Sequence, residues 1–253
     1  GGYLILSDYA NGAFPPTFTD QQAAYDNEIA YREVLPGASP ESVANRERRK
    51  PFWTGNKFNF SYYVMDFNSL WGFMVQLGIS SDAKMLELGC GAGWMAEFFA
   101  MMEYDVLGTT IAPLDVEDGK RRIESMKARG VSPTLDFAIS PMESVHEVVG
   151  EDRFDCVYVY EALHHAYDWK KTLDSVYKCL RPGGYFIICN EPNRVHTFSS
   201  YRVAVLSNTH EVGFNKAEVM KCLKQKGFAN VRNLKNRIGF RYKPLWIVGQ
   251  KPE

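Results

Sequence analysis

The stretch Met85-Leu-Glu-Leu-Gly-Cys-Gly-Ala-Gly93 decides the fold of this chain, because an apolar run is followed at once by three glycines at alternate positions. The apolar run predicts a short buried strand, and the residues from Trp94 to Met102 have the pattern of a helix. Glycines let the backbone turn tightly and approach a ligand closely, since they carry no Cβ. A glycine turn between a strand and a helix is where doubly wound α/β folds bind nucleotides.

The spacing of these glycines limits the ligand that the loop can bind. A dinucleotide-binding loop has its third glycine at the sixth position, where this chain has Trp94, and the Gly-Lys-Ser/Thr of a phosphate-binding loop is absent. Glu87 stands just before the first glycine, and its carboxylate can accept a hydrogen bond from a cationic or hydroxylated ligand. The loop therefore predicts a ligand other than a pyrophosphate.

Strands and helices are predicted to alternate downstream of this loop, which indicates a parallel sheet covered on both faces. The predicted strands are Met85–Leu88, Asp105–Leu107, Thr134–Ala138, Phe154–Tyr160 and Tyr185–Cys189, with a closing pair at Val231–Ile238 and Leu245–Val248. We therefore predict an α/β fold.

The segment before the loop has a different character. Apolar residues from Tyr63 to Leu77 recur at helical spacing, whereas glycine and proline interrupt every apolar run before residue 55. We predict an irregular or helical segment over residues 1–60 that covers the ligand site, and a core domain over residues 61–253.

Three motifs together resemble class I S-adenosylmethionine-dependent methyltransferases of the small-molecule group. They are Glu87-Leu-Gly-Cys-Gly-Ala-Gly93, Phe154-Asp-Cys-Val-Tyr-Val-Tyr-Glu-Ala-Leu-His-His165 and Leu180-Arg-Pro-Gly-Gly184, and their spacing fits that family. The resemblance covers about residues 60–250. It implies a Rossmann-like, doubly wound, seven-stranded sheet with helices on both faces and an antiparallel last strand. It also implies an enzyme that uses S-adenosylmethionine and releases S-adenosylhomocysteine.

The resemblance implies a set of cofactor-binding residues at the ends of the first four strands. They are Glu87, Gly89, Cys90, Gly91 and Gly93 in the glycine loop, Thr109 and Thr110 after the second strand, Met142 and Glu143 after the third, and Tyr160 at the end of the fourth. Two positions depart from the family pattern, because Thr110 and Pro141 stand where acids are expected against ribose and adenine. A threonine hydroxyl cannot replace a charged carboxylate with two acceptor oxygens.

Candidates for catalysis follow the fourth and fifth strands. His165 matches a histidine common in the family and is a candidate general base, and Glu161 and Glu191 are candidates for binding an amine or hydroxyls of the acceptor. Catechol-type methyltransferases bind magnesium through acids and an asparagine after these strands, and that pattern is matched only loosely here by Glu161, Asn190 and Glu191. We therefore predict no metal site.

Composition and charge bear on partners and location. The net charge of −1 argues against nucleic acid as a partner, and no apolar stretch approaches the roughly 20 residues that cross a bilayer. The five cysteines show no disulfide spacing, so we expect reduced thiols and a cytoplasmic protein. Oligomerisation stays open.

The sequence is compatible with three functions. The first is methyl transfer to an oxygen or nitrogen of a small metabolite, such as a sugar or a natural-product intermediate. The second is RNA methylation, favoured by the ten Lys and Arg against two acids in residues 215–253. The third is a non-catalytic binding module, motivated by Thr110 and Pro141.

Overall fold

The computed structural model describes residues 2–14, 20–52, 59–235 and 244–253. Its helices and strands, in chain order, are α1 (Gly2–Ala10), α2 (Gln21–Ile29), α3 (Tyr31–Val34), α4 (Pro40–Arg49), α5 (Asn59–Gln76), β1 (Lys84–Leu88), α6 (Trp94–Met101), β2 (Asp105–Thr110), α7 (Pro113–Ala128), β3 (Leu135–Ile139), α8 (Val145–Val149), β4 (Phe154–Tyr160), α9 (Trp169–Cys179), β5 (Leu180–Glu191), α10 (Val195–Ser199), α11 (Tyr201–Ser207), α12 (Lys216–Gln225), β6 (Ala229–Asn233) and β7 (Leu245–Gln250). Short 3₁₀ turns at Met142–Ser144 and Leu163–His165 follow β3 and β4.

The described strands form one sheet in the order β3-β2-β1-β4-β5-β7-β6. Strands β1 to β5 are mutually parallel, and β7 is antiparallel to both β5 and β6. The predicted Rossmann-like sheet with an antiparallel last strand is thus confirmed. The strand order reverses between β1 and β4, and the crevice at the carboxyl ends of such strands is where open α/β sheets bind ligands.

Alternate residues of each central strand pack into two separate cores, one on each face of the sheet. In β1, Met85 belongs to one core and Leu86 to the other, and in β4 Tyr158 and Val157 divide in the same way. The first core is completed by α5, α6 and α7 and the second by α8, α9 and α12. Successive residues of a strand point to opposite faces of the sheet, so a strand buried on both faces has the near-continuous apolar run from which a buried strand is predicted.

Residues 1–60 were predicted to be irregular or helical, and the described part of that segment contains helices α1 to α4. Asp20 caps α2 by accepting hydrogen bonds from the backbone N–H groups of Gln22 and Ala23. Ser39 caps α4 in the same way, and Pro40 occupies the first turn. A proline at the first helical position starts a helix rather than breaking one, because the N–H it lacks would have no partner there.

The later elements differ from prediction mainly in their ends. Strand β5 begins at Leu180, five residues before the predicted start at Tyr185, so it includes the Pro182-Gly183-Gly184 segment, and the pairing with β4 is irregular there. Strand β6 ends at Asn233, and residues 236–238 of the predicted run lie outside the described residues. None of the described helices has both the length and the apolar character needed to cross a bilayer.

Candidate active site

The glycine loop joins β1 to α6 with all three of its glycines at positive φ. The φ angles are +61° at Gly89, +51° at Gly91 and +74° at Gly93. A Cβ on Gly89 would lie 2.5 Å from Ala162 Cβ, and one on Gly93 would lie 2.3 Å from the ring of Phe137. A Cβ on Gly91 would instead enter open space, with only Glu47 Oε2 at 3.9 Å. Gly89 and Gly93 therefore serve close packing, whereas Gly91 keeps a space free in front of the loop.

That space is part of a cavity of ≈ 280 Å³ at the carboxyl ends of β1, β2 and β4. Ten of the residues predicted for the site line it: Glu87, Gly89, Cys90, Gly91, Thr110, Met142, Glu143, Tyr160, Glu161 and His165. The structure therefore brings together residues that are far apart in sequence, as a topological switch point requires.

Three predicted residues do not line this cavity and have structural contacts instead. Gly93 is the residue before α6, where the chain needs a left-handed conformation. The Thr109 hydroxyl donates to the carbonyl of Glu87 at 3.1 Å and joins β2 to β1. Glu191 is fully buried and accepts hydrogen bonds from the N–H groups of Ala162 and Leu163 at 2.7 and 2.8 Å. Its carboxylate thus holds the loop after β4 in place.

Glu87 is a buried carboxyl group directly behind the glycine loop. Burial raises its pKa to about 8, while a hydrogen bond from the Tyr158 hydroxyl at 3.0 Å acts in the opposite direction. With that pKa the group is largely protonated near neutral pH, so it can donate as well as accept a hydrogen bond. A cationic ligand at the loop would favour the ionised form.

Glu161 directly follows β4. Its side chain is exposed and lines the cavity. Its φ is +47°, and that of Asn190 at the adjacent end of β5 is +55°. The Asn190 amide donates to Glu161 Oε1 at 2.7 Å. Desolvation by the surrounding protein raises the pKa of Glu161 to about 7, against the opposing charge of Lys50. Non-glycine residues in left-handed conformations cost free energy and concentrate at functional sites.

His165 follows Glu161 by one 3₁₀ turn and also lines the cavity. Its Nδ1 lies 3.4 Å from Glu28 Oε2, within ion-pair distance. Burial by itself would lower the pKa of His165, but the charges of Glu28 and Glu211 outweigh it and raise the pKa to about 10. The imidazole is therefore charged at neutral pH and suited to donating hydrogen bonds into the cavity.

Helices α2, α3 and α4, here called the cap helices, form the outer wall of the cavity. The Tyr25 hydroxyl donates to Glu143 Oε2 at 3.0 Å, and Arg32 donates to Asp118 at 2.9 Å and also to Asp115. Glu28 accepts a hydrogen bond from the N–H of His210 at 2.9 Å. These contacts are long-range, and sequence analysis missed every one of them. The caps at Asp20 and Ser39 could have indicated the helices, but nothing in the sequence indicates their partners.

Arg122 of α7 connects the cap helices to the glycine loop. Its guanidinium donates to the carbonyls of Arg48 and Lys50 at 2.9 and 3.0 Å, at the end of α4. It also donates to the carbonyl of Ala92 at 2.6 Å and pairs with Glu97 at 2.7 Å. The last carbonyls of a helix have no partner within the helix and carry partial negative charge, so a guanidinium there is stabilising.

We expect the variant Arg122→Leu to bind the ligand of this cavity about tenfold more weakly, because hydrogen bonds to a charged group contribute roughly 1.5–3 kcal/mol. Arg129→Leu is the matched control, since Arg129 directly follows the last residue of the same helix and also contacts Glu97, at 3.3 Å. Calorimetric titration measures the affinity, and hydrogen exchange over residues 40–50 reports the loosening of α4. Equal affinities of the two variants would contradict this role.

Comparison with known proteins identifies the family. Residues 86–188 match the sequence family described as methyltransferase domain. They form a class I S-adenosylmethionine-dependent methyltransferase domain. A probable S-adenosylmethionine-dependent methyltransferase of Mycolicibacterium smegmatis is 28% identical over 144 residues, which are 57% of this chain and 51% of that protein. A ubiquinone biosynthesis O-methyltransferase of Aliivibrio fischeri is 24% identical over 205 residues, covering 78% of this chain and 79% of that protein.

A sterol 24-C-methyltransferase of Aspergillus fumigatus is 30% identical over 112 residues, 44% of this chain and 28% of that protein. This chain thus spans about half of the mycobacterial relative and less than a third of the fungal one. Among solved structures, the YcgJ protein of Bacillus subtilis has a TM-score of 0.60 at 17% identity, covering 74% of this chain and 99% of that one. The CurJ carbon methyltransferase has a TM-score of 0.61 at 18% identity, covering 98% and 70%.

The cofactor of such a methyltransferase domain is S-adenosylmethionine. The described residues fit that cofactor, because a Cβ on Gly91 would occupy the space in front of the loop. The corner at the end of β2 is arranged differently from the family pattern. The Thr110 hydroxyl accepts a hydrogen bond from Ala112 N at 3.3 Å, while Asp115 in the first turn of α7 lines the cavity. Asp115 is thus a carboxylate near the position where the family pattern has one.

Proposed function

We propose that this chain transfers the methyl group of S-adenosylmethionine to an oxygen or nitrogen atom of a small molecule. The observation that carries the proposal is the position of Glu161, a carboxyl group with a pKa near neutral, on the same cavity as the glycine loop. When bound, the cofactor supplies an electrophilic methyl group. The chain then has to orient the acceptor atom and accept its proton.

Glu161 is the proton acceptor in this proposal. A base is most effective when its pKa lies near the working pH, and a pKa of about 7 meets that condition. The hydrogen bond from Asn190 at 2.7 Å leaves the second carboxylate oxygen to the acceptor. His165 lines the same cavity, and its charged imidazole orients the acceptor by donating a hydrogen bond to it. Glu191 positions both residues by binding the backbone of the loop between them.

The cofactor is held by the glycine loop and by Asp115 in place of the acid that is missing at Thr110. Met142 lies over the loop, with its Cε 2.7 Å from the position of a Cβ on Gly89, and can pack on the adenine. Glu143 accepts a hydrogen bond from the backbone N–H of Asp168 at 3.0 Å as well as from Tyr25. It therefore acts mainly by holding the cap helices and the loop after β4 against the site.

A small acceptor fits the cavity better than a polymer does, because the cap helices close its outer side. The dimensions are near the lower end of those of small-molecule sites. The name of the Aliivibrio relative states methylation of oxygen and that of the Aspergillus relative methylation of carbon. Oxygen and nitrogen acceptors are favoured here because the cavity offers a carboxylate base of near-neutral pKa.

The experiment is transfer of radiolabelled methyl from S-adenosylmethionine to a panel of phenols, sugars, amines and one RNA preparation, after calorimetric confirmation of cofactor binding. Labelling of a phenol, sugar or amine supports the proposal. Labelling of RNA alone would overturn the small-molecule assignment, and cofactor binding without transfer to any acceptor would favour a binding module. Failure to bind the cofactor would refute the proposal at its first step.

A further inference from the structure

Histidines gather on one side of the cavity, and one of them, His165, lines it. Four of the five histidines in the chain lie near the loop that follows β4: His164 and His165 on it, and His196 and His210 from the segment after β5. The ring centroids of His164 and His165 are 4.1 Å apart, and those of His164 and His196 are 5.2 Å apart. His210 Nδ1 lies 3.1 Å from the carbonyl of Ala166. The fifth, His146, contacts Ser175 and Lys178 on α9.

Within this cluster, one atom each of His164, His196 and Glu211 converges on a single point. The three atoms all lie within 4.8 Å of one another. Glu211 Oε2 is 2.7 Å from His196 Nε2 and 3.9 Å from His164 Nε2. Ligand atoms around a tetrahedral Zn²⁺ are about 3.3 Å apart, given metal–ligand distances of roughly 2.0–2.1 Å. Small side-chain movements would therefore bring all three atoms to coordination distance.

The other ring nitrogen of His164 is held by a buried carboxylate. His164 Nδ1 lies 2.8 Å from Glu191 Oε2, and Glu191 is itself fully buried and bonded to the loop backbone. A carboxylate on Nδ1 places the ring proton there and leaves the lone pair on Nε2, which faces Glu211. Histidines that bind metals almost always have such a partner on the second nitrogen. This arrangement is a second feature, independent of the convergence, that points to a metal ligand.

We propose that His164, His196 and Glu211 bind one divalent transition-metal ion, with Glu191 orienting His164. Two imidazoles and one carboxylate suit Zn²⁺, Fe²⁺ or Co²⁺ better than Mg²⁺, which prefers oxygen ligands. The ligands come from three places: the 3₁₀ turn after β4, helix α10 and the segment before α12. A bound ion would therefore join the segment after β5 to the wall of the cavity.

Three protein ligands leave a further coordination position for water or for an oxygen atom of a small molecule, as in zinc sites with two histidines and one glutamate. The ring of His165, whose centroid is 4.1 Å from that of His164, itself lines the cavity. The ion is thus close to the proposed acceptor position. Metal binding itself does not depend on methyl transfer, and it can be measured without the cofactor.

The test uses the whole chain, purified through a tag that contains no histidine and stripped of metal with a chelator. Zn²⁺ is titrated against a chromophoric competitor, and Co²⁺ is added separately to record its visible absorption. The variants are His196→Ala, Glu211→Gln and Glu191→Gln, with His146→Ala as the matched control. Circular dichroism and cofactor binding are recorded for each variant to confirm that it folds.

We expect one ion per chain in the unaltered protein and in His146→Ala, with an intense Co²⁺ spectrum that indicates low coordination number and histidine ligands. Affinity should fall at least 100-fold in His196→Ala and Glu211→Gln, and about 10- to 100-fold in Glu191→Gln. Absence of tight Zn²⁺ binding by the unaltered protein would overturn the proposal. So would unchanged affinity in folded His196→Ala and Glu211→Gln. The Co²⁺ spectrum decides the matter alone if those two variants fail to fold.

Discussion

Gly91→Ala should weaken S-adenosylmethionine binding on the order of 100-fold, or about 2.7 kcal/mol. The added methyl group would enter the open space in front of the glycine loop, where the nearest protein atom is Glu47 Oε2 at 3.9 Å. That space is part of the cavity, so the methyl group competes with the ligand rather than with the protein core. Calorimetric titration of the purified variant measures the effect.

Gly130→Ala is the control for backbone strain in this experiment. Gly130 has a φ of +81° with no atom within 4 Å of an added Cβ, and it follows α7 on the surface. Both variants should lose a similar ~1–2 kcal/mol of folding stability, because alanine is disfavoured at positive φ. Only Gly91→Ala should lose cofactor affinity. Equal cofactor affinity in the two variants would show that the loop does not hold the cofactor.

Glu161→Gln should lower kcat roughly 100- to 10,000-fold, the usual contribution of a general base. The amide cannot accept a proton, yet it has nearly the same shape and can keep the contact with Asn190. The KM for the acceptor and the affinity for the cofactor should change little, because the substitution removes proton transfer rather than binding. Glu103→Gln is the matched control, since Glu103 also has a positive φ, +70°, and lies away from the cavity.

The pKa of Glu161 determines the direction in which kcat/KM changes with pH. Glu161 must be ionised to accept a proton, and its pKa is about 7. The kcat/KM of the unaltered enzyme should therefore rise about tenfold per pH unit below pH 7 and level off above it. In Glu161→Gln this rise should vanish while the rate stays low throughout. If Glu161→Gln has a normal rate and an unchanged pH profile, another group is the base.

Much of the sheet and the glycine-loop side of the site could be predicted from the sequence. The strands around Leu86 and Val157 are apolar runs because both faces of the sheet are buried. The glycine loop is a local feature, and its spacing excludes a dinucleotide without any knowledge of the fold. The motif ending at His165 contains β4 and the loop after it. The position of that loop at the ligand-binding edge of the sheet therefore follows from sequence order.

Roles that depend on packing could not be predicted in this way. Glu161 and Glu191 are both acids at the ends of neighbouring strands, yet one faces the cavity and the other binds backbone N–H groups in the interior. The corner at Thr110 is a similar case, since the Thr110 hydroxyl bonds to the N–H of Ala112 in the turn before α7 while Asp115 lines the cavity. The direction of a side chain depends on local φ values, which the residue type does not specify.

The sequence by itself determined the fold class and the glycine loop, because both depend on contiguous patterns of burial and backbone freedom. The cofactor came from the resemblance of three sequence motifs to a known family. The tertiary structure alone decided the cap helices, the Arg122 contacts and the convergence of His164, His196 and Glu211. These features join segments between 15 and 182 residues apart, and their partners are polar side chains and carbonyls that occur throughout the chain. A polar group finds its partner only when the folded core has brought the two within hydrogen-bond distance.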